Sequence, residues 1–431
     1  MAEPVTAEQL RFEDWTGDRS VVAVGTNAGC DPLPFQTWRR IKEAFAPEIV
    51  ERAVAETPGP VEHVADPFGG SGTTALAAQF LGIKPTTIEV NPFLADLIEA
   101  KLATLDLDLA YAAFDRVVQE VGCSRERKRP QFTGAPATFV EPGRDERFIF
   151  SRAVARRILS YRAAVDRVAD EGCRRLFRVV LASTTVPVSN VVVSGKGRRY
   201  RGGWQKRVGD PNLVDELFRS GVLQALDDLR EYAARPCLDY SLLRGDARIR
   251  AGEIGRHDLA VFSPPYPNSF DYTDVYNVEL WSMGYLSSGA DNKRLRDATL
   301  RSHVQILRDF GCGSVQSAAL ERTMKALLEV RERLWNRHIP EMIGAYAGDL
   351  AVVMAQLARG LRIGGRAYVV VGDSRYAGVD VPVAEILIEV AEPIGYRLVK
   401  AEESRSMRAS PQQGGRPELG ETLVVLEREP R

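Results

Sequence analysis

The chain has 431 residues, of which 45% are hydrophobic and 27% charged, and its formal net charge is −1 at pH 7. That length suits two or three domains, or one domain with large insertions, and the composition is that of a globular protein, not a fibrous or disordered one. No apolar run approaches the ~20 residues of a membrane helix, MAEPVTAEQLRFEDWTGD at the start lacks the basic-then-apolar order of a secretory signal, and Cys30, Cys123, Cys173, Cys237 and Cys312 are scattered without a CxxC pair. The sequence therefore predicts a cytoplasmic protein with no disulfide framework and no metal site. A near-neutral balance leaves a nucleic-acid partner open, provided that basic residues gather on one face.

In chain order, seven apolar, β-branched runs read as buried strands. They are VEHVAD (61–66), KPTTIEV (84–90), SLLRGD (241–246), DLAVFS (258–263), RAYVVVG (366–372), YRLVKAE (396–402) and ETLVVLE (421–427). Helix-like stretches lie between several of them, such as TTALAAQFLG (73–82) and VAEILIEVAEPIG (383–395), with Gly82 and Gly395 as natural helix ends. Alternating strands and helices predict a doubly wound α/β core with a mostly parallel sheet. The last two strands have no helical pattern between them and are expected to form an antiparallel pair at the sheet edge.

Two segments break the alternation, 111–236 and 287–345, and both far exceed an ordinary loop. They read as largely helical insertions. The resulting division is 1–110, 111–236, 237–286, 287–345 and 346–431. The first insertion carries RERKRP (125–130) and SGKGRRYRGGWQKR (194–207), and the second DNKRLRD (291–297).

VADPFGGSGTTALAA (64–78) is a strand, a Gly-rich turn and a helix start. Such a turn approaches a ligand closely, and helix-start N–H groups favour a negative group. No lysine follows, so it is not a phosphate loop of the GKT/GKS type. Glu89 stands 23 positions after Asp66 (89 minus 66), close to the ~20 expected of a carboxylate that holds ribose hydroxyls. Further on, the fourth strand stops at Ser263-Pro264-Pro265-Tyr266. Two prolines cannot donate to a sheet ladder, so the chain leaves the core there with a hydroxyl, a stiff backbone and a ring.

DPFGGSGTT followed by IEVNPF resembles the S-adenosylmethionine motif of DNA amino-methyltransferases, the enzymes that make N4-methylcytosine and N6-methyladenine, and SPPY resembles their (D/N/S)PPY catalytic motif. The resemblance implies a Rossmann-like methyltransferase core: a seven-stranded, mostly parallel sheet with a terminal antiparallel pair, plus the two insertions. It assigns cofactor contacts to Asp66, Phe68, Gly69, Gly70, Ser71 and Gly72, then to Glu89, Asn91 and Pro92. RRIKEAFAPEIVERAV (39–54) is similar to the segment that closes the methionine end in that family, with Phe45 and Pro47 its marks. Asp246, after the third strand, either meets the adenine amine or caps a helix.

The chemistry explains the residue types. The lone pair of an exocyclic amine is delocalised into the ring, so acceptors on the amine are needed to give it direction. Ser263 and the Pro264 carbonyl, fixed by Pro265, are expected to supply them, and Tyr266 to stack on a base swung out of duplex DNA. Phe270 or Tyr272 could line the base pocket or simply pack. A 5-methylcytosine mechanism would need a cysteine nucleophile; Pro236-Cys237 precedes the third strand, and Cys237 reads as a core thiol. Serine in the motif favours cytosine N4, whereas the order of the motifs, cofactor motif first, keeps adenine N6 open. An RNA base methyltransferase and a catalytically idle binding module are the other readings. DNA contact is expected from Arg198, Arg199, Arg201, Trp204 and Lys206 in the first insertion, and from Arg405 and Arg408, near Gln412 and Gln413, in the loop between the last strands. His257 and His303 stand alone in the sequence and receive no role.

Overall fold

The computed structural model describes residues 9–17, 19, 21, 25–26, 32–41, 44–123, 129–194, 197–268, 270–306, 308–311, 315–408 and 418–430. The seven apolar runs form one sheet: β1 (His63–Asp66), β2 (Lys84–Glu89), β3 (Ser241–Arg244), β4 (His257–Phe262), β5 (Leu361–Gly372), β6 (Tyr396–Arg408) and β7 (Glu418–Arg428). Their spatial order is β6-β7-β5-β4-β1-β2-β3. The pairs from β3 across to β5 are parallel, and β7 runs antiparallel to both β5 and β6. This is the expected Rossmann-like core, seven-stranded and mostly parallel, with a terminal antiparallel pair.

Alternation of side chains sorts each central strand into two apolar layers. Val64, Leu259, Val261, Tyr368 and Val370 enter one cluster. Ala65, Ala260, Phe262, Ala367, Val369 and Val371 enter the other. Both faces are covered, which is why these strands read as continuous apolar runs. The first layer is covered by helices Glu48–Glu56, Thr73–Phe80 and Pro92–Leu102, the second by Ala318–Glu329, Ile339–Gly360 and Val383–Ala391. Gly82 and Gly395 follow their helices at positive φ, +68° and +100°.

The first insertion holds helices Leu107–Cys123, Arg152–Val165, Glu171–Val188 and Pro211–Glu231. It also holds a two-stranded antiparallel ribbon, Val191–Ser194 with Gly197–Tyr200, which the sequence pattern did not reveal. Phe114, Tyr161, Phe177 and Phe218 from these helices lie in the same cluster as Val64 and Leu259. In the second segment helix Gly289–Asp297 is followed, among the described residues, by no regular element before Ala318–Glu329. The next core helix starts at Ile339, ahead of the expected boundary, because Pro340 falls in its first turn, where a missing N–H is harmless.

Cys237 is a correction: it is exposed and not a core thiol. Its loop is anchored by backbone, not by side-chain burial. Leu238 N–H donates to Gln79 Oε1 (2.8 Å), and Gln79 Nε2 donates back to the Leu238 carbonyl (2.9 Å). Among the described residues no helix is long and apolar enough to cross a membrane, and no cluster of His, Cys, Asp or Glu has the makings of a metal site.

Candidate active site

The carboxyl ends of β1, β2 and β4 carry the three predicted motifs. Asp66 ends β1 with 2% exposure. Its Oδ1 accepts the Phe68 N–H (2.9 Å), which starts the turn. Burial pushes its carboxyl up to about 7. The turn lies tight on its surroundings. A Cβ added at Gly69 would sit 2.4 Å from Thr87 Cγ2 and 2.8 Å from Ile98 Cδ1, so only glycine lets the loop rest on β2 and the helix behind it.

Glu89 ends β2. One carboxylate oxygen accepts from the Gly70 N–H and the other from the Asn91 N–H, both at 2.7 Å. Burial pushes this carboxyl up to about 7 as well, and the charge of Asp66 adds to the rise. Asn91 accepts from Phe93 N–H (3.0 Å) and so caps helix Pro92–Leu102, with Pro92 in its first turn. From that helix the fully buried Lys101 reaches back and donates to the Ser71 carbonyl (2.7 Å) and to Gln36 Oε1 (3.0 Å). Burial lowers its ammonium to about 7.

At the end of β4 the Ser263 hydroxyl donates to the Val370 carbonyl (3.0 Å) and stands 3.3 Å from the Tyr266 hydroxyl. Tyr266 donates to Glu421 Oε1 (2.9 Å). Glu421 belongs to β7, is 1% exposed, and accepts from the Ser404 hydroxyl through Oε2 (3.4 Å). Desolvation, then the Glu421 charge, pushes the Tyr266 phenol well above its ordinary value, so it stays protonated. Tyr376 donates to the Pro267 carbonyl (2.8 Å), which fixes the chain just beyond the motif.

These motifs open on one cavity of about 520 Å³, within the range of small-molecule sites. Phe45, Phe68, Gly69, Gly70, Ser71, Glu89, Asn91, Asp246, Ser263, Pro264, Pro265 and Tyr266 all line it. Asp66, Gly72, Pro47 and Pro92 are not on its wall. Asp66 and Gly72 shape the turn from behind, while Pro47 and Pro92 start helices. Asp246 caps the short helix Ala247–Arg250 through the Arg248 N–H (2.9 Å) and pairs with the Arg248 guanidinium (2.6 Å), while also facing the cavity. Phe270 and Tyr272 both line the cavity, their rings edge to face at 4.4 Å.

Sequence reasoning missed several wall residues. Asp373, Leu419 and Glu421 come from the C-terminal strands, and Thr299, Leu300, Ser302 and His303 from the second insertion. A carboxylate heading the buried run ETLVVLE was the available signal for Glu421. His303 lies 3.8 Å from the buried Asp271, and burial lowers its imidazole to about 4, so it is neutral.

The basic ribbon divides by role. Arg199 and Lys206 are exposed. Arg198 reaches toward Asp274 (3.9 Å), just past the SPPY loop. Arg201 donates to the carbonyls of Ser189 (3.0 Å) and Val186 (3.1 Å), closing helix Glu171–Val188. Trp204 packs on Tyr200 (4.7 Å) and Phe148 (5.5 Å). In DNKRLRD, Lys293 pairs with Asp297 and Arg296 with Asp271, so these cations are held within the chain. The side chains of Arg405 and Arg408, together with Gln412, Gln413 and residues 125–128, lie outside the described residues.

No family model matches the chain. Two solved structures of the rRNA methyltransferase AviRa from Streptomyces viridochromogenes align over 89% and 94% of it, and over 85% and 90% of their own lengths. They are 12% identical, with TM-scores of 0.26 and 0.28, values too low to carry an argument. Among curated proteins, the chain is 25% identical over 477 aligned positions to the Type II methyltransferase M.BsoBI of Geobacillus stearothermophilus, covering 96% of this chain and 89% of that protein. It is 24% identical over 408 positions to the Type II methyltransferase M.AvaI of Nostoc sp. and of Anabaena variabilis, covering 85% of this chain and 80% of each relative.

Proposed function

We propose that the chain is a site-specific DNA methyltransferase that moves the methyl group of S-adenosylmethionine to an exocyclic amine of a base swung out of the duplex. Cytosine N4 is favoured over adenine N6 by Ser263. The observation that carries this reading is the shared cavity: the Gly-rich turn and Glu89 open into the same space as the SPPY loop. The relatives named Type II methyltransferases support it over most of the chain's length.

The residues present fit the cofactor. Glu89 is anchored by two backbone N–H groups, so its remaining lone pairs suit a ribose diol. Phe45, Ile88 and Leu94 offer apolar wall. The residues that would hold it are Phe68, Gly69, Gly70, Ser71, Glu89, Asn91 and Asp246, with Asp66 and Gly72 shaping the turn, Pro92 starting the helix behind it, and Phe45 and Pro47 closing the methionine end. When bound, the sulfonium supplies a methyl group already activated for transfer.

The chain's own work is then positioning. Ser263 gives its proton to a protein acceptor, which leaves its lone pairs to accept from the amine beside the Pro264 carbonyl. The Tyr266 ring stacks on the base. We assign target recognition to 111–236, with Arg199 and Lys206 on phosphates and Trp204 near the strand. Arg198 and Arg201 contribute by holding the ribbon, and Arg405 and Arg408 are proposed as further DNA contacts from the sequence alone.

The test is incubation of the protein with labelled S-adenosylmethionine and either DNA or RNA, followed by mass spectrometry of the nucleosides. N4-methylcytosine in DNA is expected. N6-methyladenine would correct the base. Transfer to RNA alone, or to neither, would refute the reading.

A further inference from the structure

We propose that Ser263, Tyr266 and Glu421 form a proton relay that carries the proton released by the target amine to a carboxylate at the cavity floor. This rests on the amine-methylation reading above. Three observations carry it. The Ser263 and Tyr266 hydroxyls are 3.3 Å apart, and Tyr266 donates to Glu421 Oε1 at 2.9 Å. All three residues face the same cavity. Glu421 is 1% exposed, and a carboxylate at such depth, on a strand whose Leu423, Val424, Val425 and Leu426 are all buried, needs a reason.

The chemistry requires an outlet of this kind. When the new C–N bond forms and the methyl–sulfur bond breaks, the nitrogen carries one proton too many and a positive charge. Glu421, 1% exposed, is an acceptor within the chain for that proton. In the relay the amine proton passes to Ser263 Oγ, the Ser263 proton passes to Tyr266 Oη, and the Tyr266 proton passes to Glu421 Oε1. The products are a neutral methylated amine and a protonated Glu421, which releases its proton to solvent once the products have left. The Ser263 proton has two acceptors in reach, the Val370 carbonyl at 3.0 Å and the Tyr266 hydroxyl. Rotation of one hydroxyl therefore switches the chain on. A 3.3 Å contact is long for an O–H···O bond, and catalytic hydrogen bonds of this sort tighten when substrate fills the site. Asp373, the acid that follows β5 on this side of the cavity, accepts the Val383 N–H (2.9 Å) at the start of helix Val383–Ala391.

The relay separates acid–base function from packing. Glu421→Gln keeps shape and an acceptor for the Tyr266 hydroxyl but cannot take a proton. Glu421→Asp fits less well but restores a base. Tyr266→Phe keeps the ring and removes the middle of the chain. Single-turnover transfer of labelled methyl to DNA that the parent protein modifies is the assay, with cofactor affinity measured by calorimetry. Tyr266→Phe and Glu421→Gln are each expected to slow transfer at least tenfold with cofactor affinity within twofold, and Glu421→Asp to be at least threefold faster than Glu421→Gln. Parental rates for Tyr266→Phe, or Glu421→Gln as fast as Glu421→Asp, would overturn the relay while leaving the methyltransferase reading intact. If Glu421→Gln loses cofactor binding through misfolding, Tyr266→Phe decides alone. A parent protein that methylates no DNA at all would sink the reading, and the relay with it.

Discussion

Asp66→Asn tests the claim that the Gly-rich turn is built around a carboxyl held in the wrong environment for charge. An ordinary aspartate titrates near ~3.9, whereas burial pushes Asp66 up to about 7. The folded pKa is the raised one, so the contribution of Asp66 to stability is fully present below about pH 4 and is lost as pH rises through about 7. Integrating between those limits, the parent is penalised by roughly 1.5 kcal/mol at pH 5 and about 4 kcal/mol at pH 8, a difference of about 2.5 kcal/mol. Asparagine carries no such charge and still accepts the Phe68 N–H. Whatever its amide group loses by burial is independent of pH and cancels in the comparison. Urea denaturation followed by tryptophan fluorescence at pH 5 and pH 8, without cofactor, is the assay. The gap between variant and parent should move by about 2.5 kcal/mol in favour of the variant from pH 5 to pH 8. A gap that stays constant within about 0.5 kcal/mol would refute the argument that Asp66 is neutral in the folded chain at mild pH.

Three further outcomes are expected. Glu89→Gln removes the charge that two backbone donors and the proposed diol share, and should weaken cofactor affinity ten- to hundredfold by calorimetry, from a loss of about 1.5–3 kcal/mol. Arg199→Ala and Lys206→Ala should each reduce the slope of log affinity for DNA against log salt by about 1 without changing thermal stability. Arg201→Ala should do the reverse: by freeing the carbonyls that end helix Glu171–Val188 it should lower stability by about 1–2 kcal/mol, read by denaturation, and leave the salt slope nearly unchanged.

The central strands were legible because both of their faces are buried, which writes an unbroken apolar run into the sequence. Their ends were less so. β6 continues through Glu402, Glu403 and Ser404, beyond the expected 402, because an edge strand with one side free tolerates polar residues. β5 begins at Leu361, ahead of the expected 366, and runs across Gly364 and Gly365, a residue type that weakens a strand's interior. The ribbon Val191–Tyr200 was hidden because its second strand is Gly-Arg-Arg-Tyr, a composition that reads as a basic loop. At the site, the Gly-rich turn, Glu89 and SPPY were visible because each is a local pattern. Glu421 and His303 were not, because what gives them meaning is a neighbour far away in the chain: Tyr266 for one, Asp271 for the other. Arg201 shows the converse. Its position among basic residues suggested a DNA contact, and only the fold reveals the helix end to which its guanidinium also donates.

The helices of 111–236 share one apolar cluster with the strand that carries the Gly-rich turn. Helix Glu171–Val188 packs directly on Pro92–Leu102, the helix whose Lys101 holds the Ser71 carbonyl. Such a segment cannot be exchanged between relatives as a cassette, since its removal would strip the underside of the sheet that carries the Gly-rich turn and the SPPY loop. If 111–236 reads the target, a change of target has to come through single substitutions on outward-facing positions of the ribbon, and lineages with this architecture would drift in specificity by small steps, not by shuffling whole recognition modules.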